Sequence, residues 1–413
     1  MRVLFATVPE KSHLFNLVPL AWALRTAGHE VRVAGQPGVV DSIVSAGLTA
    51  VPLSADHDWH RLIEEFSRSS SLGLLTGFDP FTAPAEDYSP EFFADYHKIM
   101  VPTFAAFNDA LVDDLVEFAR QWRPDLVVWD AITFAGSVAA RAVGAAHARV
   151  IWGSDELPRM RRGFLDAGGD DDQVAAWLEP IARKHGVEFD EELLTAQLSI
   201  QQIPAAMRTP NDHVPSTGMA FVPYNGPATV PDWLRVPAER PRVCVTLGTT
   251  MERLGVEFMS MGDLLEAVAG LDVEVVVTMS AEQRAALTSL PGNVRAVEFV
   301  PLHVLLPTCS AIVHHCGSGT YTTALASGVP QLAMPQRGFS ESVLISRRMR
   351  DMGVALYEVA TDATAEGVRD KLSRLLTEPS FAHAAGRVRD GMRADPTPAE
   401  VVTALEQLAG RGR

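Results

Sequence analysis

"VHHCGSGTYTTALASGVPQLAMP", residues Val313–Pro335, sets an apolar strand against a glycine-rich turn, then a helical run, then a second apolar strand. A strand, a helix and a strand in that order imply two parallel strands joined by a right-handed crossover. The turn opens the helix, whose first N–H groups lack partners and carry partial positive charge, a setting suited to phosphate. Gly317 and Gly319 let the backbone come close to a ligand, and Ser318, Thr320 and the imidazole of His315 add donors. A plain tight turn beside a packed histidine reads equally well from this stretch alone. It is not the dinucleotide fingerprint, because Thr322 stands at the third glycine position, and the chain has no Walker lysine motif.

The same alternation extends outward. "RVCVTLGTT" ends a buried strand at Gly248 and Thr249, a second small-residue corner able to hold another phosphate. "VEFVPLHVLLP" places Phe299 at a strand end, where its ring either stacks on a base or joins the core. "RVLFATV", "EVRVAG", "DLVVWD" and "ARVIWG", with helical runs between them, build a first series of the same kind. A polar, aromatic-rich stretch from Ser54 to about His97 interrupts it. Residues 155–204 read as charged and helical, without strong strands. A stretch dense in Pro, Gly and Asn, with short strands inside it, separates the two series. The expected fold is therefore α/β, two tandem Rossmann-like doubly wound domains facing across a cleft. Its expected division is 1–205, a linker 206–240, 241–392, and a C-terminal helix 393–413 that packs back toward the first domain. Ligands of such sheets sit at the carboxyl ends of the strands.

Bulk properties narrow the function. A chain of 413 residues is long for one core. Its net charge of −16 argues against nucleic acid, which calls for a basic footprint. The three cysteines have neither metal nor disulfide spacing, which fits a reducing cytoplasm. The start lacks signal-peptide character, and no apolar run approaches the roughly 18 residues of a membrane span.

"TLGTT", "FVPLHVLLP", "HHCGSGT" and "ALASGVPQLAMP", in this order, resemble the nucleotide-sugar domain of GT-B fold glycosyltransferases. "KSHLFNLVPLAWALRTAGHEVRVA", "RPDLVVWDAITFAG", "VPYNGPATVPDWL" and "MRADPTPAEVV" are similar to actinobacterial macrolide aminosugar transferases, the desosaminyltransferase-like group. The resemblance spans nearly the whole chain. It implies an inverting, metal-independent transfer of a deoxysugar, or an aminosugar, from a dTDP-sugar to a polyketide aglycone, with no cofactor. It gives His315 and the Gly317–Thr320 turn to the diphosphate, and Phe299 and backbone bonds of Val300 to the base. The first domain then binds the acceptor and the second the nucleotide sugar. Two positions depart from the family pattern. Cys316 stands where glycine is common, and the carboxylate–amide pair expected after "PQLAMP" is missing, which leaves Ser340 and Glu341 for the sugar.

Transfer to a hydroxyl needs a base for its proton and donors for the leaving group. His13, just after the first strand, is either a surface loop histidine or that base, and relatives place a catalytic histidine at its position. Asp130, closing "DLVVWD", is the expected orienting carboxylate, with Asp155 as the rival. The insertion supplies Trp59, Phe66, Phe78, Phe81 and Phe92 for an apolar acceptor. The resemblance further implies a cytochrome-like auxiliary activator protein, and a homodimer is a further expectation. Two other classes compete: a nucleotide-sugar epimerase of the same fold, which has no use for an apolar acceptor wall, and a non-catalytic sugar-nucleotide-binding auxiliary protein, which has no use for His13.

Overall fold

The computed structural model describes residues 1–53, 89–208, 214–247, 259–287, 289–336 and 340–411. Two all-parallel sheets organise them. The first contains β1 (Arg2–Ala6), β2 (Glu30–Gly35), β3 (Ala50–Pro52), β4 (Leu126–Asp130), β5 (Ala146–Ile151), β6 (Leu198–Gln201) and β7 (Ser216–Gly218), in the order β3-β2-β1-β4-β5-β6-β7. The second contains β8 (Arg242–Thr246), β9 (Glu274–Thr278), β10 (Val294–Val297), β11 (Ala311–His314), β12 (Gln331–Ala333) and β13 (Ala355–Tyr357), in the order β10-β9-β8-β11-β12-β13. Central strands are apolar runs because helices cover both faces. All five residues of β4 are buried, as are all five of β8. Both orders reverse direction once, at β1/β4 and at β8/β11, and each reversal opens a crevice at the carboxyl ends of those strands.

Helix α1 (Lys11–Thr26) follows β1 directly and buries Leu14, Leu17, Val18, Ala21 and Leu24, the spacing of one helical face. Helices α2 (Pro37–Ser45), α3 (Pro90–Trp122), α4 (Ala135–Val143), α5 (Glu156–Asp166) and α6 (Gln173–Lys184) complete the first unit. The second carries α7 (Met261–Ala269), α8 (Ser318–Ser327), α9 (Ser340–Asp351), α10 (Ala365–Thr377) and α11 (Pro379–Arg393). The last helix, α12 (Pro398–Arg411), places Val401, Val402, Leu405 and Ala409 in the core of the first sheet, beside Leu17 and Ala21 of α1. It begins with a capping box. Thr397 N–H donates to Glu400 Oε2 at 2.7 Å, and Glu400 N–H donates to Thr397 Oγ1 at 3.3 Å.

Two elements differ from the sequence reading, and a third is one of the short strands expected in the linker stretch. β6 lies inside 155–204, read as lacking strong strands, and β7, in the linker stretch, adds to the first sheet. Both are short strands, four and three residues, too brief for a period to show. α3 begins at Pro90, inside the stretch read as an irregular insertion, capped by Ser89 Oγ, which accepts the Phe92 N–H at 3.3 Å. Pro at the first helical position is favourable there, since its missing N–H would have had no partner. Among the described residues no helix is long and apolar enough to cross a membrane.

Candidate active site

Both crevices open into one cavity of about 930 Å³, lined from the first sheet by His13, Trp152 and Glu156 and from the second by Thr246, His315 and Thr320. The expected cleft is therefore present as a shared space rather than two separate sites.

On the acceptor side, His13 is the third residue of α1 rather than part of a loop. Asp130 ends β4, next to β1 in the sheet, so strand order alone brings the two together. His13 Nδ1 lies 3.1 Å from both Asp130 oxygens. A carboxylate only accepts, so Nδ1 carries the proton and Nε2 is left as the basic nitrogen. Asp130 is fully buried and accepts two further N–H groups, from Trp152 Nε1 at 2.7 Å and Ile132 N at 3.2 Å. Burial is the largest influence on His13 and disfavours the imidazolium. The charge and hydrogen bond of Asp130, with the charges of Glu10 and Glu341, outweigh it and raise His13 above its ordinary value. Asp155 is taken elsewhere: the Arg149 guanidinium grips it with both terminal nitrogens, Nη1 to Oδ1 at 2.7 Å.

The donor-side corner is built by a division of labour between two histidines. His314 is fully buried. Its Nδ1 accepts the Cys316 N–H at 2.9 Å, and its Nε2 donates to Gln331 Oε1 at 2.8 Å, which pins the turn. His315 instead lines the cavity, and burial lowers it to about 4, so it is a neutral imidazole. Its ring lies over Gly317, where an added Cβ would fall 2.5 Å from Nε2, and this close approach explains the glycine. Gly319 faces open space, and Ser318 and Thr320 line the cavity with it at the N-terminus of α8. Cys316 adopts a φ of 70°, the left-handed region that favours the glycine common at this position, and its buried thiol accepts a bond from Ser346 Oγ at 3.3 Å. Gly248 and Thr249 lie outside the described residues. The neighbouring strand end instead offers Thr246, whose hydroxyl accepts that of Thr278 at 2.8 Å.

Phe299 and Val300 also line the cavity. Phe299 is 57% exposed on its rim, so it is not a core residue, whereas Val300 is buried. Ser340 opens α9. Glu341, one residue on, reaches across the cleft, and its Oε1 accepts the Ser154 N–H at 2.6 Å. Gly153 permits that approach, since a Cβ there would fall 2.0 Å from the same oxygen. A second carboxyl, Glu156 at the start of α5, accepts from Ser154 Oγ at 3.0 Å and Tyr96 OH at 3.4 Å. Burial, then the nearby charge of Glu341, raises Glu156 to about 8, and burial raises Glu341 too. Sequence reasoning missed Glu156, which stands in a helix read only as charged.

Of the aromatic residues expected to meet an acceptor, Trp59, Phe66, Phe78 and Phe81 lie outside the described residues. Phe92 requires correction: it packs against the first core, edge-on to Phe93 with centroids 5.8 Å apart, and does not line the cavity. It stands one helical stretch too early, about 18 Å along the axis from Phe104. The apolar wall comes instead from Met100, Phe104 and Phe107 of α3, with Phe15, Phe134 and Tyr224. The i, i+3, i+4, i+7 spacing of Met100, Thr103, Phe104 and Phe107 was the available signal.

Comparison with known proteins agrees with the fold. Residues 22–248 match the family model described as "Erythromycin biosynthesis protein CIII-like, N-terminal domain", and residues 262–408 match its C-terminal counterpart. The chain is 46% identical over 435 residues to aklavinone 7-beta-L-rhodosaminyltransferase of Streptomyces galilaeus, covering 100% of this chain and 97% of that one. It is 44% identical over 426 residues to 10-deoxymethynolide desosaminyltransferase of Streptomyces venezuelae, covering 100% and 98%. The crystal structure of glycosyltransferase VinC in complex with dTDP matches with a TM-score of 0.85 at 41% identity, over 100% of both chains. Two parallel-sheet domains, a shared cleft and full-length similarity leave one conclusion: the chain belongs to the erythromycin biosynthesis protein CIII-like family of GT-B glycosyltransferases.

Proposed function

We propose that the protein is an inverting glycosyltransferase that moves a deoxysugar, in particular an aminosugar, from a dTDP-sugar to a hydroxyl of a polyketide aglycone. One observation carries the reading: His13, backed by the buried Asp130, and the His315–Thr320 corner line the same cavity from opposite domains. An acceptor hydroxyl at His13 gives its proton to Nε2 as its oxygen bonds the anomeric carbon. The bond from that carbon to the diphosphate breaks on the far side, which inverts the centre. Asp130 stabilises the imidazolium as it forms. Negative charge growing on the diphosphate meets the neutral His315 N–H, the Ser318 and Thr320 hydroxyls and the first N–H groups of α8. These protein donors, in this reading, do the work that a metal ion does elsewhere. Phe299 and the Val300 backbone take the base.

The half-buried carboxyls Glu341 and Glu156 support an aminosugar. Burial favours a proton on each, with the charge of Glu341 adding to it at Glu156, and an ammonium group between them would take that proton's place. The apolar wall of α3 and Phe134 suits a polyketide acceptor. A cytochrome-like auxiliary protein and a homodimer belong to the same proposal. The test is incubation with dTDP-aminosugars and neutral dTDP-deoxysugars against a panel of aglycones, read by mass spectrometry and by the anomeric coupling of the product. Expected are an acceptor-dependent glycoside of inverted configuration, a preference for the amino donor that Glu341→Gln weakens, and no transfer by His13→Ala despite retained dTDP binding. Epimerised donor without acceptor, or retained configuration, overturns the proposal.

A further inference from the structure

Trp152, the residue immediately after β5, touches three parts of the site at once. Its indole Nε1 donates to Asp130 Oδ2 at 2.7 Å, the carboxylate that holds His13. Its ring stands edge-on to the His13 imidazole, centroids 4.7 Å apart and planes at 81°. Its backbone carbonyl accepts the hydroxyl of Tyr321 at 3.3 Å, and Tyr321 belongs to α8, the helix whose N-terminus forms the donor-side corner.

These contacts are not redundant. Both Asp130 oxygens stand at the same 3.1 Å from His13 Nδ1, so that pair alone leaves the carboxylate free to turn about its own bond. The indole N–H takes one oxygen and the Ile132 N–H the other, which fixes the plane of the carboxylate. The ring edge then limits how far the imidazole can tilt. Tyr321, 2% exposed, ties the same residue to the opposite domain, so the base and the donor-side corner share a common reference point.

We propose that Trp152 is a positioning residue for glycosyl transfer: it locks the Asp130–His13 pair and couples it to the diphosphate corner through Tyr321. The inference rests on the reading of His13 as the base. The indole N–H also draws on the charge of Asp130. Without it the carboxylate holds the His13 proton harder, so the imidazolium persists to higher pH.

Trp152→Phe keeps an aromatic ring and removes the N–H. Expected is a fall in kcat of about tenfold or more, the scale of one hydrogen bond to a charged group, with dTDP affinity by calorimetry little changed. The acidic limb of kcat/KM, which reports protonation of the free base, is expected to move to higher pH. Tyr321→Phe keeps the indole bond and loses the tie. It should lower kcat and leave the limb in place. A Trp152→Phe enzyme with wild-type kcat overturns the proposal, and so does one whose kcat falls while the limb stays put, since that is ordinary packing loss. A Tyr321→Phe enzyme with wild-type kcat overturns the coupling. His13→Ala, assayed alongside, separates the levels: if it still transfers, the base assignment has failed and not merely the role of Trp152.

Discussion

Asp130→Asn changes one oxygen for an NH2 group beside His13, the proposed base, and the surrounding donors determine the outcome. Three N–H groups converge on the two oxygens. Oδ1 receives Ile132 N and Oδ2 receives Trp152 Nε1, while His13 Nδ1 lies 3.1 Å from both. An amide cannot satisfy this set in either orientation. With its NH2 at the Oδ2 position it meets the indole N–H, and at the Oδ1 position it meets the Ile132 N–H. One buried donor is left unpaired, at a cost of about 1–3 kcal/mol in stability. For a domain of this size that is about 2–4 °C in the first melting transition per kcal/mol. The catalytic loss is separate. The imidazolium formed during transfer loses a charge-assisted partner worth about 1.5–3 kcal/mol, so kcat should fall about 10- to 150-fold. The pH profile gives a third reading. Burial disfavours the His13 imidazolium, and Asp130 is the chief opposing influence, so its neutralisation should move the acidic limb of kcat/KM downward. That is opposite in sign to the Trp152→Phe effect. Steady-state transfer by mass spectrometry from about one pH unit below to one above the ordinary histidine value measures both kcat and limb. An Asp130→Asn enzyme within about threefold of wild-type kcat leaves less than ~1 kcal/mol of barrier lowering to the carboxylate and refutes its role.

Glu156→Gln tests the half-buried carboxyl pair. A carboxyl raised to about 8 binds more protons in the folded chain than in the unfolded one between its ordinary value and 8, so its contribution to stability declines as pH rises through that window. Glu156→Gln should therefore gain on the wild type in urea unfolding as pH rises from about 5 to about 8, and a constant difference across the window contradicts it. At Cys316, φ of 70° strains any side chain, while the buried thiol contributes packing. Relief and loss are each about 1 kcal/mol, so Cys316→Gly is expected to unfold within about 1 kcal/mol of wild type. Cys316→Val adds β-branching at the same φ and should cost more than about 2 kcal/mol and weaken dTDP binding, read by denaturant titration and calorimetry.

The reach of the sequence follows from where each residue sits. Strand ends are legible, because an apolar run that stops at a polar residue marks the carboxyl edge of a parallel sheet, and that edge is where ligands lie. Asp130 and His315 stand at such strand ends, whereas His13 lies in the first turn of α1 and is singled out by the family resemblance. Sequence favoured Asp130, which ends β4, over Asp155, which lies four residues beyond β5, but left the rival open. The choice is made by Arg149, fully buried in β5, which claims Asp155 and leaves Asp130 for the histidine. Phe104 and Phe107 were hidden for another reason. The helix that carries them contains Pro90 at its start and Pro102 within its 33 residues, and is held by its buried face rather than by a local pattern. Trp152, Ser154 and Glu156 carry no local signature at all. Their roles arise because Glu341 and Tyr321 arrive from the other domain, 187 and 169 residues away in the chain. A residue whose function is to bridge two sheets has nothing to distinguish it until both sheets exist. The half of the site proposed to move the proton is thus written near single strands, while the half proposed to align it with the donor is written only in the meeting of domains. Trp152→Phe should for that reason lower kcat more than the affinity for either substrate, whereas Glu156→Gln should also weaken the preference for an amino donor.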